Sequence, residues 1–158
     1  MRASLSQPLL LILLALAQLV PANALPAEQR LPLKAGNLEI FYGVIPAEVI
    51  LGHPADHAER KMHGGAPARA GQHHLIVSVF DGRTGRRVTD AAISASVSEP
   101  GLARQRKPLE SMTFAGAATY GNYFLMSATG PYRIEVEIRR QGSAAPVKTS
   151  FEYSHPRR

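Results

Sequence analysis

The chain has 158 residues, a formal charge of +6 at pH 7, and neither cysteine nor tryptophan. Without cysteine there is no disulfide framework, no thiolate metal centre and no cysteine nucleophile, and the length suits one domain. The cationic residues are scattered in short groups such as Arg86-Arg87 and Arg139-Arg140, with no basic helix and no aromatic RNA-binding signature. Nucleic acid is therefore set aside, and the charge is read as solubility or attraction to an acidic partner or an anionic membrane surface.

Arg2, the apolar run from Pro8 to Val20 and the small-residue pattern Ala22-Asn23-Ala24 have the layout of a secretory signal peptide. A signal helix over residues 1–24, cleaved after Ala24, is expected. The run is too short to span a bilayer comfortably and no later segment is a candidate, so the expectation is a soluble exported protein. Arginine far outnumbers lysine, and Ala, Gly and Pro are abundant, a composition suggesting a GC-rich bacterium and hence the periplasm.

Residues 25–36 read as a flexible lead-in and 37–155 as a single domain. Leu38 to Val44 is rich in β-branched and aromatic residues and predicts a strand, interrupted by Pro46 before a second short run from Glu48 to Leu51. The connection over 52–74 carries Pro54, Gly64, Gly65, Pro67 and Gly71, which exclude a long helix and leave room for a turn or two between Ala55 and Met62. Residues 74–80 (HLIVSVF), the turn DGRTGRR and the alternating run Ala91 to Val97 predict a hairpin. Glu99-Pro100-Gly101 breaks the second strand, and a basic loop follows over 101–108. Further strands are predicted over Leu109 to Phe114 and Tyr120 to Met126. In 131–140, Tyr132, Ile134, Val136 and Ile138 share one face while Arg133, Glu135, Glu137 and Arg139 share the other. Val147 to Tyr153 closes the series. About seven short strands and no amphipathic helix predict an all-β fold, an immunoglobulin-like antiparallel β-sandwich, with a small barrel as the second choice.

Five of the six histidines, His53, His57, His63, His73 and His74, fall with Met62 between Gly52 and His74. Imidazole and thioether are ligands for transition metals; a mixed His/Met set suits Cu(I), and histidines alone suit Cu(II) or Zn(II). His53 and His57 are spaced i, i+4 and share a face if the loop turns helically, while Met62-His63 could fold back through Gly64-Gly65. His73 and His74 are neighbours on a strand and point opposite ways, so one at most joins a given site. The competing reading is a set of solvated loop histidines. His155 reads as a disordered tail residue, Met112 and Met126 as core fillers, Asp81 and Asp90 as turn residues, and the tyrosines as closing the core with their hydroxyls at its edge. Asp56 or Glu59 would supply a hard ligand or an acceptor behind a histidine. With no G-x-S-x-G elbow and no serine placed near the histidines, an enzyme is not expected.

The hairpin residues Thr84, Gly85, Val88, Asp90 and Ala91, the segment Tyr120, Gly121, Tyr123, Phe124 and the final Phe151 and Tyr153 resemble the YtkA-like and FixH-like group of exported bacterial β-sandwich domains, over about residues 73–155. The chain is also broadly similar in fold to periplasmic copper proteins of the CopC type, without their metal-binding residues. The resemblance implies a cell-envelope accessory domain found beside copper handling and oxidase assembly, with a copper-handling or oxidase-assembly protein of the periplasm or inner membrane as partner. It brings no catalytic residues. The alternative is an interaction module without metal, which predicts an apolar surface around Phe41, Tyr42, Val44 and Ile45.

Overall fold

The structure, a computed structural model, describes residues 32–65, 69–99, 101–114 and 116–156; the expected signal segment and most of the lead-in fall outside them. Eight strands run through these residues: β1 (Leu33–Ala35), β2 (Leu38–Pro46), β3 (Gln72–Asp81), β4 (Ala91–Ser98), β5 (Gln105–Phe114), β6 (Ala117–Leu125), β7 (Tyr132–Arg140) and β8 (Val147–Tyr153). All pairings are antiparallel in the order β1-β2-β3-β6-β5-β4-β7-β8, and β1 lies against β8, so the sheet wraps into a nearly closed all-β sandwich. The inner face carries Ile40, Leu75, Val77 and Val79 from one side and Ile93, Val97, Ile134 and Val136 from the other. On β7 the predicted alternation holds, with Tyr132, Ile134, Val136 and Ile138 buried and Arg133 and Arg139 exposed.

Several expectations are corrected. Residues 33–35, read as lead-in, form β1 and pair with the start of β2. β2 continues through Pro46, where a missing N–H is tolerated at the strand's last residue, and 47–51 is a short helix, α1 (Ala47–Leu51), rather than a strand. Ala47 and Ile50, three apart, share the face that α1 buries. The predicted hairpin between 74–80 and 91–97 does not form: β3 pairs with β2 and β6, and β4 with β5 and β7. After the turn the chain returns only as far as one bridge, Phe80 to Arg87, and the bond from Val88 N to Val79 O at 2.8 Å, then crosses to the opposite layer. There Ile93, Ala95 and Val97 close the core from the far side. Local pattern marks strand, turn and strand, but sheet partners are chosen by burial.

Asp81 organises that turn as expected, its Oδ1 accepting from Arg83 N, Thr84 N and Thr84 Oγ1 and its Oδ2 from Arg140 at 3.2 Å. The Thr84 backbone bond, then those from Arg83 and Arg140, holds its carboxyl below the ordinary range. Of the residues considered for an apolar surface, Phe41 is exposed and Tyr42, Val44 and Ile45 are half-buried. Tyr42 stacks on Phe151 with ring centroids 3.6 Å apart, Val44 packs on the core and Ile45 on a second cluster, leaving Phe41 exposed beside Phe80.

β5 belongs to both layers. Residues 105–109 pair with β4, whereas 110–114 pair with β6, so the β5–β6 ladder opens beyond the pair Glu110–Gly121. Side chains bridge the opening: Gln105 donates to Leu125 O (2.8 Å) and accepts from Leu125 N (3.0 Å), Lys107 donates to Tyr123 O (2.7 Å), and Asn122 to Pro108 O (2.8 Å). Each takes the place of a ladder bond that the divergence removes. Gln105→Ala, which strands both polar groups of Leu125, is expected to cost about 1 kcal/mol, seen in thermal unfolding as a midpoint lower by several degrees; an unchanged midpoint would show the bridge to be dispensable.

Candidate metal centre

β3 is buried on both faces. Leu75, Val77 and Val79 face the sandwich core, while His74 (fully buried) and Ile76 face outward beneath a covering segment. That cover runs from α1 through a turn at 52–57, α2 (Ala58–Lys61) and a single 3-10 turn (Met62–Gly64). It is anchored by a small apolar cluster of its own, Ala47, Ile50 and Tyr123 with Ile45. Tyr123 thus sits outside the main core, unlike the other tyrosines expected there.

The cover delivers His63 onto His74. His63 adopts a left-handed backbone (φ 55°, ψ 36°), a conformation that costs a non-glycine residue of order 1 kcal/mol or more. Gly64 and Gly65, also at positive φ, let the chain leave again. The His63 side chain is only 3% exposed; its Nδ1 lies 2.8 Å from Glu110 Oε2 and its Nε2 lies 3.1 Å from His74 Nε2. Since Nδ1–H donates to the carboxylate, Nε2 of His63 carries the lone pair, the arrangement by which a carboxylate fixes a metal-binding tautomer. His74 stacks on Tyr123 at 4.7 Å between centroids, and its Nδ1 has no hydrogen-bond partner among the described residues.

Gly121 on β6 leaves the room for this ring. A Cβ there would sit 2.6 Å from His74 Nε2 and 3.0 Å from the terminal methyl of Met112, so imidazole and thioether crowd one point above the glycine. Glu110 and Met112, two apart on β5, share the face on which Glu110 reaches His63. Met112, read from sequence as a core filler, is absent from both clusters of buried apolar residues and is half-buried at this spot.

Two ligand nitrogens on one ion, with bonds of about 2.0 Å at about 100°, lie about 3.1 Å apart, so the His63–His74 spacing fits a shared metal ion. Among the described residues no three of His, Cys, Asp and Glu converge on one point; the Met112 side chain, on the same face, ends next to the His74 ring above Gly121. Binding through His74 Nε2 moves its proton to Nδ1, where no acceptor waits. That cost is about 1–3 kcal/mol, small beside the order of 10 kcal/mol that a multi-ligand site returns.

The remaining histidines are placed apart from this pair. His53 and His57 meet each other on the exposed side of the cover, Nδ1 to Nδ1 at 3.2 Å, through a turn that precedes α2. Met62 opens the 3-10 turn and accepts from Gly65 N. His73 turns to the other side of β3, donates through Nδ1 to Gly71 O and packs on His155 at 4.5 Å. His155 is ordered rather than a loose tail: Nε2 donates to Met126 O (2.9 Å) and Nδ1 accepts from Tyr153 OH (3.2 Å). With both His155 nitrogens engaged, that pair is structural. Burial, and next the adjacent His155, draw His73 below the ordinary histidine value against the bond to Gly71. The expected single cluster of His53, His57, Met62 and His63, joined by His73 or His74, therefore divides: His53 lies with His57, His63 with His74 and His73 with His155, and Met62 stands apart from these pairs. Glu110 and Met112 carry no local sequence signal beyond sharing a strand face, and that face is unreadable while the strand's sheet is unknown.

No family model matches the chain, and no curated sequence does. Among solved structures it is similar to a copper-bound variant of FetP from uropathogenic Escherichia coli strain F11, at 17% identity and TM-score 0.57 over 78% of this chain and 93% of that one. A copper-bound variant of Campylobacter jejuni P19 matches at 17% identity and TM-score 0.58, covering 78% and 93%. A DUF4426 family protein from Pseudomonas aeruginosa PAO1 matches at 17% and 0.57, covering 78% and 91%. These likenesses establish a fold shared with FetP and P19. Among the described residues no helix is long and apolar enough to cross a membrane.

Burial, with His63 adding to it, lowers the His74 pKa to about 4. In the unfolded chain His74 titrates near the ordinary 6.5, so between these values the unfolded state binds more protons and stability rises with pH. Metal-free protein is therefore expected to lose up to on the order of 3 kcal/mol as pH falls from about 6.5 to 4, and His74→Gln to flatten that part of a denaturant-melt pH profile. Identical profiles for the two proteins would contradict the assignment.

Proposed function

We propose that this chain is an exported, non-catalytic accessory protein of the bacterial cell envelope that holds copper between His63 and His74, with Met112 as third donor. The observation that carries the reading is the pair of ring nitrogens 3.1 Å apart, one ring fixed by Glu110 and the other fully buried. Glu110 orients His63; Tyr123 and Gly121 seat the His74 ring; α1 and the turn at 52–57 keep water from it. Bound copper would supply a soft cation to be stored or passed on, and a thioether among the donors favours the Cu(I) state. That FetP and P19 have been obtained with copper on the same fold supports the choice of metal. The N-terminal signal pattern supports export, and a copper-handling or oxidase-assembly protein of the periplasm or inner membrane is the partner such a carrier would serve.

Competition titration of the purified protein with Cu(I) and Cu(II) tests this. Gly121→Ala, whose Cβ displaces His74, and His63→Ala should each weaken copper binding by about tenfold or more, while Met112→Leu should weaken Cu(I) more than Cu(II). Copper affinity unchanged in all three variants would defeat the proposal.

A further inference from the structure

The second histidine pair has a geometry of its own. His53 and His57 present their Nδ1 atoms to each other at 3.2 Å with ring planes at 86°, on the solvent side of the cover. As at the inner site, this separation suits two nitrogens on one ion, with bonds of about 2.0–2.1 Å at about 100°. The turn is held in place before any ion arrives. His57 N donates to Pro54 O (3.0 Å), Arg60 N to His57 O (3.1 Å), and the Arg60 guanidinium reaches back to His53 O (3.1 Å). Both histidine backbones are thus fixed by α2, and little ordering cost remains for a ligand.

We infer that His53 and His57 form a second, open binding site for a divalent transition-metal ion, distinct from the His63–His74 centre. Among the described residues it supplies two imidazoles and no thioether. Such a donor set favours Cu(II) over Ni(II) and Zn(II) in the usual order of affinities. The two sites divide the labour: the outer one holds a divalent ion exchangeably at the surface, and the inner one is enclosed and contains sulfur. The pair precedes His63 on the same covering segment, separated from it by α2 and Met62. This inference rests on the pair's own geometry and stands whether or not the inner site takes copper.

Calorimetric titration of the purified protein with Cu(II) near neutral pH, repeated with the double variant His53→Ala, His57→Ala and with His63→Ala, reads the two sites separately. The intact protein should bind two equivalents, the weaker by about tenfold or more. The double variant should lose the weaker equivalent and keep the tighter, and His63→Ala should do the reverse. Loss of binding in the double variant with none in His63→Ala would support the outer site while striking the inner one. If the double variant binds Cu(II) with the stoichiometry and affinities of the intact protein, the outer site is refuted. Both histidines lie on the solvent side, so a matching thermal midpoint for the double variant separates loss of ligand from loss of fold.

Discussion

β3 is the strand on which the rest of the arrangement depends, because it is buried on both faces. Its inward residues close the sandwich; its outward residues, His74 and Ile76, need a cover that no strand provides. The segment from Ala47 to Gly65 is that cover, and its anchor is the contact of Ala47 and Ile50 with Tyr123. From this requirement follow the helix after Pro46, the left-handed backbone at His63, and the absence of a side chain at Gly121.

Burying an imidazole outside the apolar core gives up the solvation of two ring nitrogens. Here one nitrogen of His74 is met by His63 and the other by nothing among the described residues, so the ring is held neutral at a cost to stability. Strain at His63 and an unmatched buried nitrogen on the same few residues are what a binding site looks like when its partner atom is part of the design. One surface hollow of about 320 Å³ lies elsewhere, on the outer face of β4, β7 and β8, lined by Ser94, Ser96, Arg106 and Glu137 among others. Its cations are taken up in ion pairs such as Arg104–Glu135 and Arg106–Glu137, so it has the character of a solvated sheet face.

Much of the fold was legible because strands with one wet face declare themselves. β7 and β8 alternate, and the run HLIVSVF marked β3 as a strand. Partner choice was not legible: the Asp81 to Arg87 turn has every local feature of a hairpin, yet its flanking strands belong to different layers, since a sandwich core is closed from two sides. At the site, the opposed directions of His73 and His74 followed from strand geometry alone. The separation of His63 from His53 and His57 did not, because it rests on a backbone conformation at His63 that propensity disfavours. Glu110 and Met112 were hidden by the change of partner within β5, which makes one strand's two ends face different surroundings.

The central claim is that two imidazoles and one thioether share an ion at the outer face of β3. X-ray absorption at the copper edge, recorded on protein carrying one equivalent of Cu(I), addresses it most directly. The account predicts two nitrogen scatterers near 2.0 Å and one sulfur near 2.3 Å, with the sulfur shell lost in Met112→Leu. A spectrum containing nitrogen and oxygen alone, identical in the intact protein and in that variant, would contradict it.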